Sequence, residues 1–387
     1  MKKVLKRIFA VLLIMIGGLI AISALSNINL PTQSKVVNYL SDGDKARLAE
    51  FFHLRQRLGN QVWPGWGDSD SPVILHNEAY AFLINFDGQP PKGWIKVPLG
   101  ELRGGEWEEV RNDQFLGQVY YRQPITDPEK TPENFTVLVG DQWVATLQTY
   151  EFAAIDFYDG FKDQLPGFLR PIFPYRLFWS LLIPNSEAYI GALAHESFHS
   201  VQGVSVADRL SQAEEAAVIE GSYPWEGQAV TEAWQIELDL LFDAVNTDDL
   251  IQKKELAQQF LAQRNQRRET LGFSEEHIAY EKEREWLEGL AKYAELALQL
   301  EASQNSDYAP APQAINDPDF DNYSRTERYF SQQVTEVTRM ASQGGETRFY
   351  YTGLCIGLLL DELAPDWKNQ IFSSGVYLED LLAVAIQ

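Results

Sequence analysis

The feature that most constrains how this chain can fold is a pair of histidines four residues apart. His195 and His199 lie in an apolar segment. The segment 188–201 contains no proline, and its apolar residues recur at helical intervals, which predicts a helix. Residues i and i+4 of a helix lie one above the other on the same face, so both imidazoles can reach one metal ion. Unpaired imidazoles are costly among apolar side chains, which favours a metal site over two incidental histidines.

Glu196 completes the pattern H-E-x-x-H, which is typical of zinc hydrolases. It lies one step around the predicted helix from His195, close to the metal without pointing at it. A carboxylate in this position can act as the general base for a water molecule that the metal activates. We therefore predict Zn²⁺ as the cofactor and Glu196 as the catalytic base.

The composition of the chain excludes several classes of protein. At 387 residues and 45% hydrophobic content, it can bury a large core and is not generally disordered. Its 55 acidic and 32 basic residues give a net charge of −23, which argues against a nucleic-acid partner. The single cysteine, Cys355, excludes an intrachain disulfide and a thiolate zinc site, and its apolar neighbours predict a buried thiol.

Residues 1–30 have the pattern of a signal-anchor or transmembrane segment. The stretch from Ile8 to Leu25 is 18 residues long and carries no charge, which is just enough to span a bilayer. Four basic residues precede it and predict that the N-terminus lies inside: Lys2, Lys3, Lys6 and Arg7. We favour an uncleaved anchor, and hence a single-pass membrane protein, over a cleaved secretory signal. Either alternative places the catalytic part outside the cytoplasm.

The rest of the chain divides into a β-rich region and a helical region, which predicts an α+β fold. Residues 31–150 contain a helix over 44–58 and then five or six strands, mixed or antiparallel, with a hairpin turn at Gly140-Asp141. We expect one strand within 135–147 to form a sheet edge that can pair with an extended peptide. Residues 151–387 are mainly helical and form the predicted catalytic region. Within it, we interpret residues 166–184 as a core-packing connector rather than a membrane-lying segment.

A catalytic zinc ion needs a third protein ligand, and several residues could provide it. The metzincin pattern would need glycine and histidine where the chain has Gln202 and Ser205, so this class is excluded. The other histidines lie in unrelated contexts: His53, His76 and His277. Three glutamates on later segments remain as candidates: Glu220, Glu226 and Glu288. The glycine that follows Glu288 inside a predicted helix would let another backbone come close, which favours this residue.

The two motifs His195-Glu-Ser-Phe-His199 and Glu288-Gly-Leu-Ala-Lys-Tyr293 together resemble those of the gluzincin metallopeptidases, in several branches of which E-G-x-A-x-Y carries the third zinc ligand. The resemblance implies that His195, His199 and Glu288 hold the zinc ion and that Glu196 is the base. It also implies a zincin-like helical catalytic part that hydrolyses peptide bonds in a peptide or protein substrate. The long separation of the motifs implies an inserted helical hairpin over residues 230–271.

Two further groups of residues bear on this site. Arg264, Arg267 and Arg268 are expected to face Glu281 and Glu285, either as a network that orients the ligand helix or as solvated ion pairs. A tyrosine of Arg348-Phe-Tyr-Tyr351, Tyr350 or Tyr351, is a candidate donor to the oxyanion, although simple core packing explains these aromatic residues as well.

Two alternatives to a peptidase remain open at this stage. One is a zinc-bearing scaffold that binds peptides or proteins without turnover, and the other is a zinc hydrolase of a non-peptide bond in the cell envelope.

Overall fold

The computed structural model describes residues 2–69, 71–98 and 100–387, apart from the side chains of most of the first 16 residues. Its architecture is α+β, with one mixed sheet followed by a helical C-terminal part. Two helices precede the sheet: α1 (Lys2–Asn27) and α2 (Asp42–Val62). The strands are β1 (Val73–His76), β2 (Tyr80–Ile84), β3 (Trp94–Lys96), β4 (Leu102–Arg103), β5 (Glu108–Glu109), β6 (Tyr121–Pro124), β7 (Phe135–Val139) and β8 (Gln142–Gln148).

The helical part follows β8 directly. Its helices are α3 (Tyr150–Gln164), α4 (Tyr175–Leu182), α5 (Ser186–Glu215), α6 (Gln228–Asn246), α7 (Leu250–Thr270), α8 (Glu275–Arg284), α9 (Leu290–Gln304), α10 (Pro312–Ile315), α11 (Thr326–Glu336), α12 (Thr347–Leu363) and α13 (Leu378–Ala385). A π-helical turn, Glu285–Gly289, joins α8 to α9. Short 3₁₀ helices lie at Pro128–Lys130, Ala216–Ser222, Val337–Ser342 and Trp367–Asn369.

The sheet has eight strands in the order β4-β3-β7-β8-β1-β2-β6-β5, and β1 and β8 form its parallel pair. The hairpin turn predicted at Gly140-Asp141 is confirmed, because Val139 pairs with Gln142 and Gly140 has φ +65°. A two-residue turn of this kind requires positive φ, which glycine adopts without strain. The prediction of an edge strand within 135–147 is wrong. Both β7 and β8 have a neighbour on each side, and the edges belong to β4 and β5.

The central helix α5 packs across the sheet and against the helices behind it. On the sheet side, Gly203 lies so close to the Trp143 ring that an added Cβ would be 2.4 Å from it. On the other side, Gly191 approaches the Gln299 side chain of α9 in the same way. These two small residues let α5 lie between the two layers, where both its faces are buried.

The helix that carries the histidine motif is longer than predicted. It continues beyond the predicted residues 188–201 to Glu215, across a break in helical geometry at Val206. The predicted helical hairpin is confirmed as α6 and α7, and the thiol of Cys355 is buried as expected, which raises its pKa to about 12.

The N-terminal helix α1 ends at Asn27. The anchor predicted for residues 8–25 falls partly on residues whose side chains lie outside the described part of the structure. Within the described part of the chain, no helix is both long enough and apolar enough to cross a bilayer.

Candidate metal centre

His195, His199 and Glu288 come together at the contact between α5 and the π-helical turn. One side-chain ligand atom from each lies within 4.8 Å of the others, and all three residues are buried. The Nε2 atom of His195 lies 3.1 Å from Oε2 of Glu288, and Nε2 of His199 lies 3.5 Å from the same oxygen. Two imidazole nitrogens and one carboxylate oxygen are a donor set that suits zinc and leaves a fourth position open. These residues could therefore hold a metal ion.

The other two glutamate candidates lie elsewhere. Glu226 is exposed, and Glu220 is half-buried beside Gly345, where its Oε1 would lie 3.5 Å from an added Cβ. Of the three glutamates that the sequence left open, the structure thus brings only Glu288 to the two histidines.

The Nδ1 atoms of both histidines face an acceptor, and each Nε2 faces Oε2 of Glu288. Nδ1 of His195 lies 3.3 Å from Oε2 of Glu295, and Nδ1 of His199 lies 2.8 Å from Oε1 of Gln202. The orientation of Gln202 is determined by its amide nitrogen, which donates to the carbonyl oxygens of Trp286 and Leu287 at 2.8 and 3.1 Å. Acceptors that bond the second ring nitrogen in this way fix the tautomer and the ring orientation of histidines that bind metals.

Glu288 is in turn held by Arg284, which lies one helical turn before it. An Nη2 of Arg284 donates to Oε1 of Glu288 at 3.1 Å, so that Oε2 faces the histidines. The same nitrogen lies 2.6 Å from Oε2 of Glu346. Because Oε1 of Glu288 already accepts a hydrogen bond from Arg284, only Oε2 would be available to a metal ion.

The electrostatics of the cluster favour a positive charge between these side chains. Burial alone would lower the pKa of His195, but contacts with Glu288 and Glu295 outweigh it and raise the pKa to about 10. Burial alone would raise the pKa of Glu288, but both histidines hold it well below its usual range. A metal cation bound here would supply the positive charge that protons on the histidines otherwise supply.

Glu196 and Tyr350 form the partly exposed side of the cluster. Glu196 is half-buried on α5, and burial raises the pKa of its carboxyl to about 7 against the opposing effect of the two histidines. Tyr350 is also half-buried, and its ring stacks on that of His195 with the centroids 5.5 Å apart. Burial, together with the adjacent Glu288 carboxylate, raises the pKa of the Tyr350 hydroxyl well above its usual value.

Tyr351 and Tyr293 point away from the cluster. The hydroxyl of Tyr351 contacts Oε1 of Gln333 at 3.4 Å, and that of Tyr293 donates to Asp361 at 2.5 Å. Of the two tyrosines that the sequence left open, Tyr350 is therefore the one next to His195 and Glu288.

The arginines of α7 form a buried network rather than solvated pairs. Arg264 contacts Glu237 and Glu285 at 2.7 Å, and Arg267 contacts Glu281 at the same distance. Each of these side chains is at most 1% exposed. The network ties the hairpin α6–α7 to α8 and to the turn that carries Glu288, which agrees with the expected orienting role.

Three residues that support the site are not predicted from the sequence: Gln202, Arg284 and Glu295. A signal for two of them was present, because Arg284 and Glu295 lie four residues before and seven residues after Glu288, on the same helical face. Gln202 appeared only as a reason to exclude the metzincin pattern, although it lies three residues after His199 on the same face.

A scan against protein-family models, a search of curated proteins and a search of solved structures each found no match to this chain.

Proposed function

We propose that this chain is a zinc-dependent peptidase, anchored in a membrane by its N-terminal helix, with its catalytic part outside the cytoplasm. The observation that carries the hydrolase proposal is the buried group of His195, His199 and Glu288, whose ligand atoms lie within 4.8 Å of one another. The presence of Glu196 in the base position of H-E-x-x-H supports hydrolysis rather than simple metal storage. The resemblance of both motifs to gluzincins supports a peptide bond as the target.

The three metal-binding side chains would act through Nε2 of His195, Nε2 of His199 and Oε2 of Glu288. A bound zinc ion supplies a Lewis acid that polarises a carbonyl group and makes a water molecule more acidic. Glu295 and Gln202 keep the histidine nitrogens correctly oriented, and Arg284 does the same for the carboxylate.

Glu196 would take one proton from the attacking water as its oxygen bonds to the carbonyl carbon. When the carbon–nitrogen bond breaks, the same carboxylic acid returns that proton to the leaving amine. The Tyr350 hydroxyl would donate a hydrogen bond to the carbonyl oxygen as negative charge develops there. Its proton is retained at neutral pH, because its pKa is raised well above the usual value.

The test is the zinc content and the peptidase activity of the full-length chain in detergent, measured on the same preparations. Glu288→Gln is expected to lose zinc and activity, because it removes the anionic ligand. Glu196→Gln is expected to keep zinc and lose activity by about 10²–10⁴-fold. The exposed Glu226→Gln is the matched control and is expected to retain both properties.

The outcomes separate the proposal from its alternatives. Zinc binding without release of amines from a broad peptide library would instead support a binding scaffold. Turnover of cell-envelope fragments but not of peptides would support a hydrolase of another bond. If the folded wild type binds no zinc after reconstitution, the hydrolase proposal fails altogether.

A further inference from the structure

A cluster of exposed apolar side chains lies on α4 and on the loop before it. We call it the α4 patch, and its members are Phe168, Leu177, Phe178, Leu181 and Leu182. Phe168 is 76% exposed and Leu181 is 69% exposed. The four residues of the helix are spaced i, i+1, i+4 and i+5, which places them on one face. A group of large exposed apolar side chains on one face of a helix marks an interaction surface. This part of residues 166–184 is therefore not the core-packing connector that the sequence predicts.

Two aromatic side chains, Tyr175 and Trp179, hold α4 firmly on the protein. Trp179 packs against Phe157 and Tyr150, each with ring centroids 5.7 Å apart, and Tyr175 is buried beside Tyr158. Both side chains thus behave as ordinary core, and the α4 patch is presented outward on a supported helix.

The segment that carries the α4 patch contacts the end of α1. The side-chain amide of Asn27 donates to the carbonyl oxygens of Pro171 and Phe173 at 3.0 and 2.8 Å. Arg176 donates to the carbonyl oxygen of Asn29 at 2.7 Å. The described side chains on the second half of α1 and just after it include more exposed apolar residues: Leu19, Ile20, Ile22, Leu25 and Ile28. Exposed apolar side chains therefore lie on both sides of the contact between the end of α1 and the segment that carries the α4 patch.

The segment that carries the α4 patch differs in its own charges from the rest of the chain. Residues 165–184 contain two arginines and no acidic residue, whereas the whole chain has a net charge of −23. Both Arg170 and Arg176 are exposed, and each donates to backbone carbonyl oxygens. An apolar face bordered by exposed arginines is the composition of helices that lie in the interfacial layer of anionic bilayers.

We propose that the α4 patch inserts into the outer interfacial layer of an anionic lipid bilayer, beside the point where α1 leaves it. The proposal rests on the anchoring part of the proposed function and is independent of peptide hydrolysis. Two contacts would then hold the body of the protein, one through α1 and one through α4. The body would then keep a set orientation over the membrane.

The experiment places a nitroxide label at Leu181→Cys in the full-length chain, reconstituted into vesicles of phosphatidylcholine with a minority of phosphatidylglycerol. Collisions of the label with oxygen, which concentrates in lipid, are compared with collisions with a water-soluble nickel chelate. The native Cys355 is buried and does not compete for the label. The matched control is Val218→Cys, which is 82% exposed and lies far along the chain from α4.

The expected result is that the label at 181 collides mainly with oxygen, whereas the label at 218 collides mainly with the nickel chelate. If both labels collide equally often with the chelate while the protein stays bound to the vesicles in a flotation assay, the anchoring proposal stands and the docking proposal is overturned. If the label at 181 is protected from both reagents, a protein partner or a second copy covers the patch and the proposal is overturned as well. If the protein does not float, anchoring and docking both fail.

A second pair of variants tests the apolar character of the patch. In the Leu181→Cys background, Leu177→Gln with Leu182→Gln should raise collisions with the chelate severalfold, towards the level at position 218. The same two changes at Leu250 and Ile251, which are also exposed, should leave the label at 181 unaffected. An unchanged label after substitution of the patch would overturn the proposal.

Discussion

The backbones of Gly289 and Gly353 lie in direct contact: a Cβ added to Gly289 would lie 2.5 Å from Cα of Gly353. This approach brings α12 against the π-helical turn, and it therefore brings Tyr350 of α12 close to Glu288, the residue before Gly289. The two sides of the proposed active site depend on a contact that only glycine permits at both positions.

Gly289→Ala is expected to destabilise the protein, because a methyl group in a packed contact forces the helices apart at a cost of about 1–3 kcal/mol. It should also weaken zinc binding, since Glu288 would move with the turn. Gly160→Ala in α3 is the control, because nothing lies within 4 Å of its added Cβ. A helical glycine in open space should gain about 0.5–1 kcal/mol on this change. Urea denaturation of both variants measures these effects, and equal stabilities would contradict the packing argument.

Tyr350→Phe is expected to lower kcat by about 10²–10³-fold while zinc is retained, because the hydroxyl would donate to the developing oxyanion. Tyr351→Phe removes an identical group whose hydroxyl contacts Gln333 instead, and it should change kcat little. Peptide-library kinetics and zinc content provide the comparison. A similar loss of kcat in both variants would show that the Tyr350 hydroxyl has no specific role in catalysis.

Gln202→Met is expected to weaken zinc affinity by about 10–100-fold, the usual effect of removing a partner that orients a ligand. The variant keeps the approximate size of the side chain but removes the acceptor for Nδ1 of His199. Gln259→Met, at an exposed position of α7, should leave affinity unchanged. Competition with a chromophoric chelator gives the affinities, and thermal unfolding of the same samples identifies any loss of fold.

Glu281→Gln is expected to destabilise the chain by about 3–5 kcal/mol, because it leaves Arg267 and Arg268 partly uncompensated in the interior. The control is Glu336→Gln, which breaks a pair with the exposed Arg339 and should cost well under about 1 kcal/mol. Equilibrium unfolding in urea at neutral pH checks both values. A small effect at Glu281 would mean that solvent reaches the network.

The buried His76 should make stability depend on pH in a defined window. Burial lowers its pKa from 6.5 to about 4, with polar contacts to Glu133 and Asn134 in partial opposition. Because the unfolded chain takes up the proton first, the contribution is fully present above pH 6.5 and is lost as pH falls towards 4. It amounts to about 3 kcal/mol. The difference in unfolding free energy between wild type and His76→Leu, followed from pH 7 to 4, should show this slope. A pH-independent difference would contradict it.

Local patterns in the sequence were sufficient for several elements. The H-E-x-x-H helix, the hairpin at Gly140-Asp141 and the helical hairpin α6–α7 each follow from periodicity or turn chemistry within one segment. The sheet order does not, because which strand lies at an edge depends on pairings between segments far apart in the chain. For this reason the edge expected within residues 135–147 lies instead at β4 and β5.

For the candidate site, the sequence by itself determined His195, Glu196 and His199, because their spacing on one helix decides which side chains share a face. It left the third ligand open among three glutamates and the tyrosine open between two. Only the tertiary structure decided that Glu288 and Tyr350 are the residues beside the histidines, and that Gln202 and Glu295 support them. The physical reason is that these contacts depend on how α5, the π-helical turn and α12 pack together, with Gly289 and Gly353 setting their separation. No local pattern specifies such a distance.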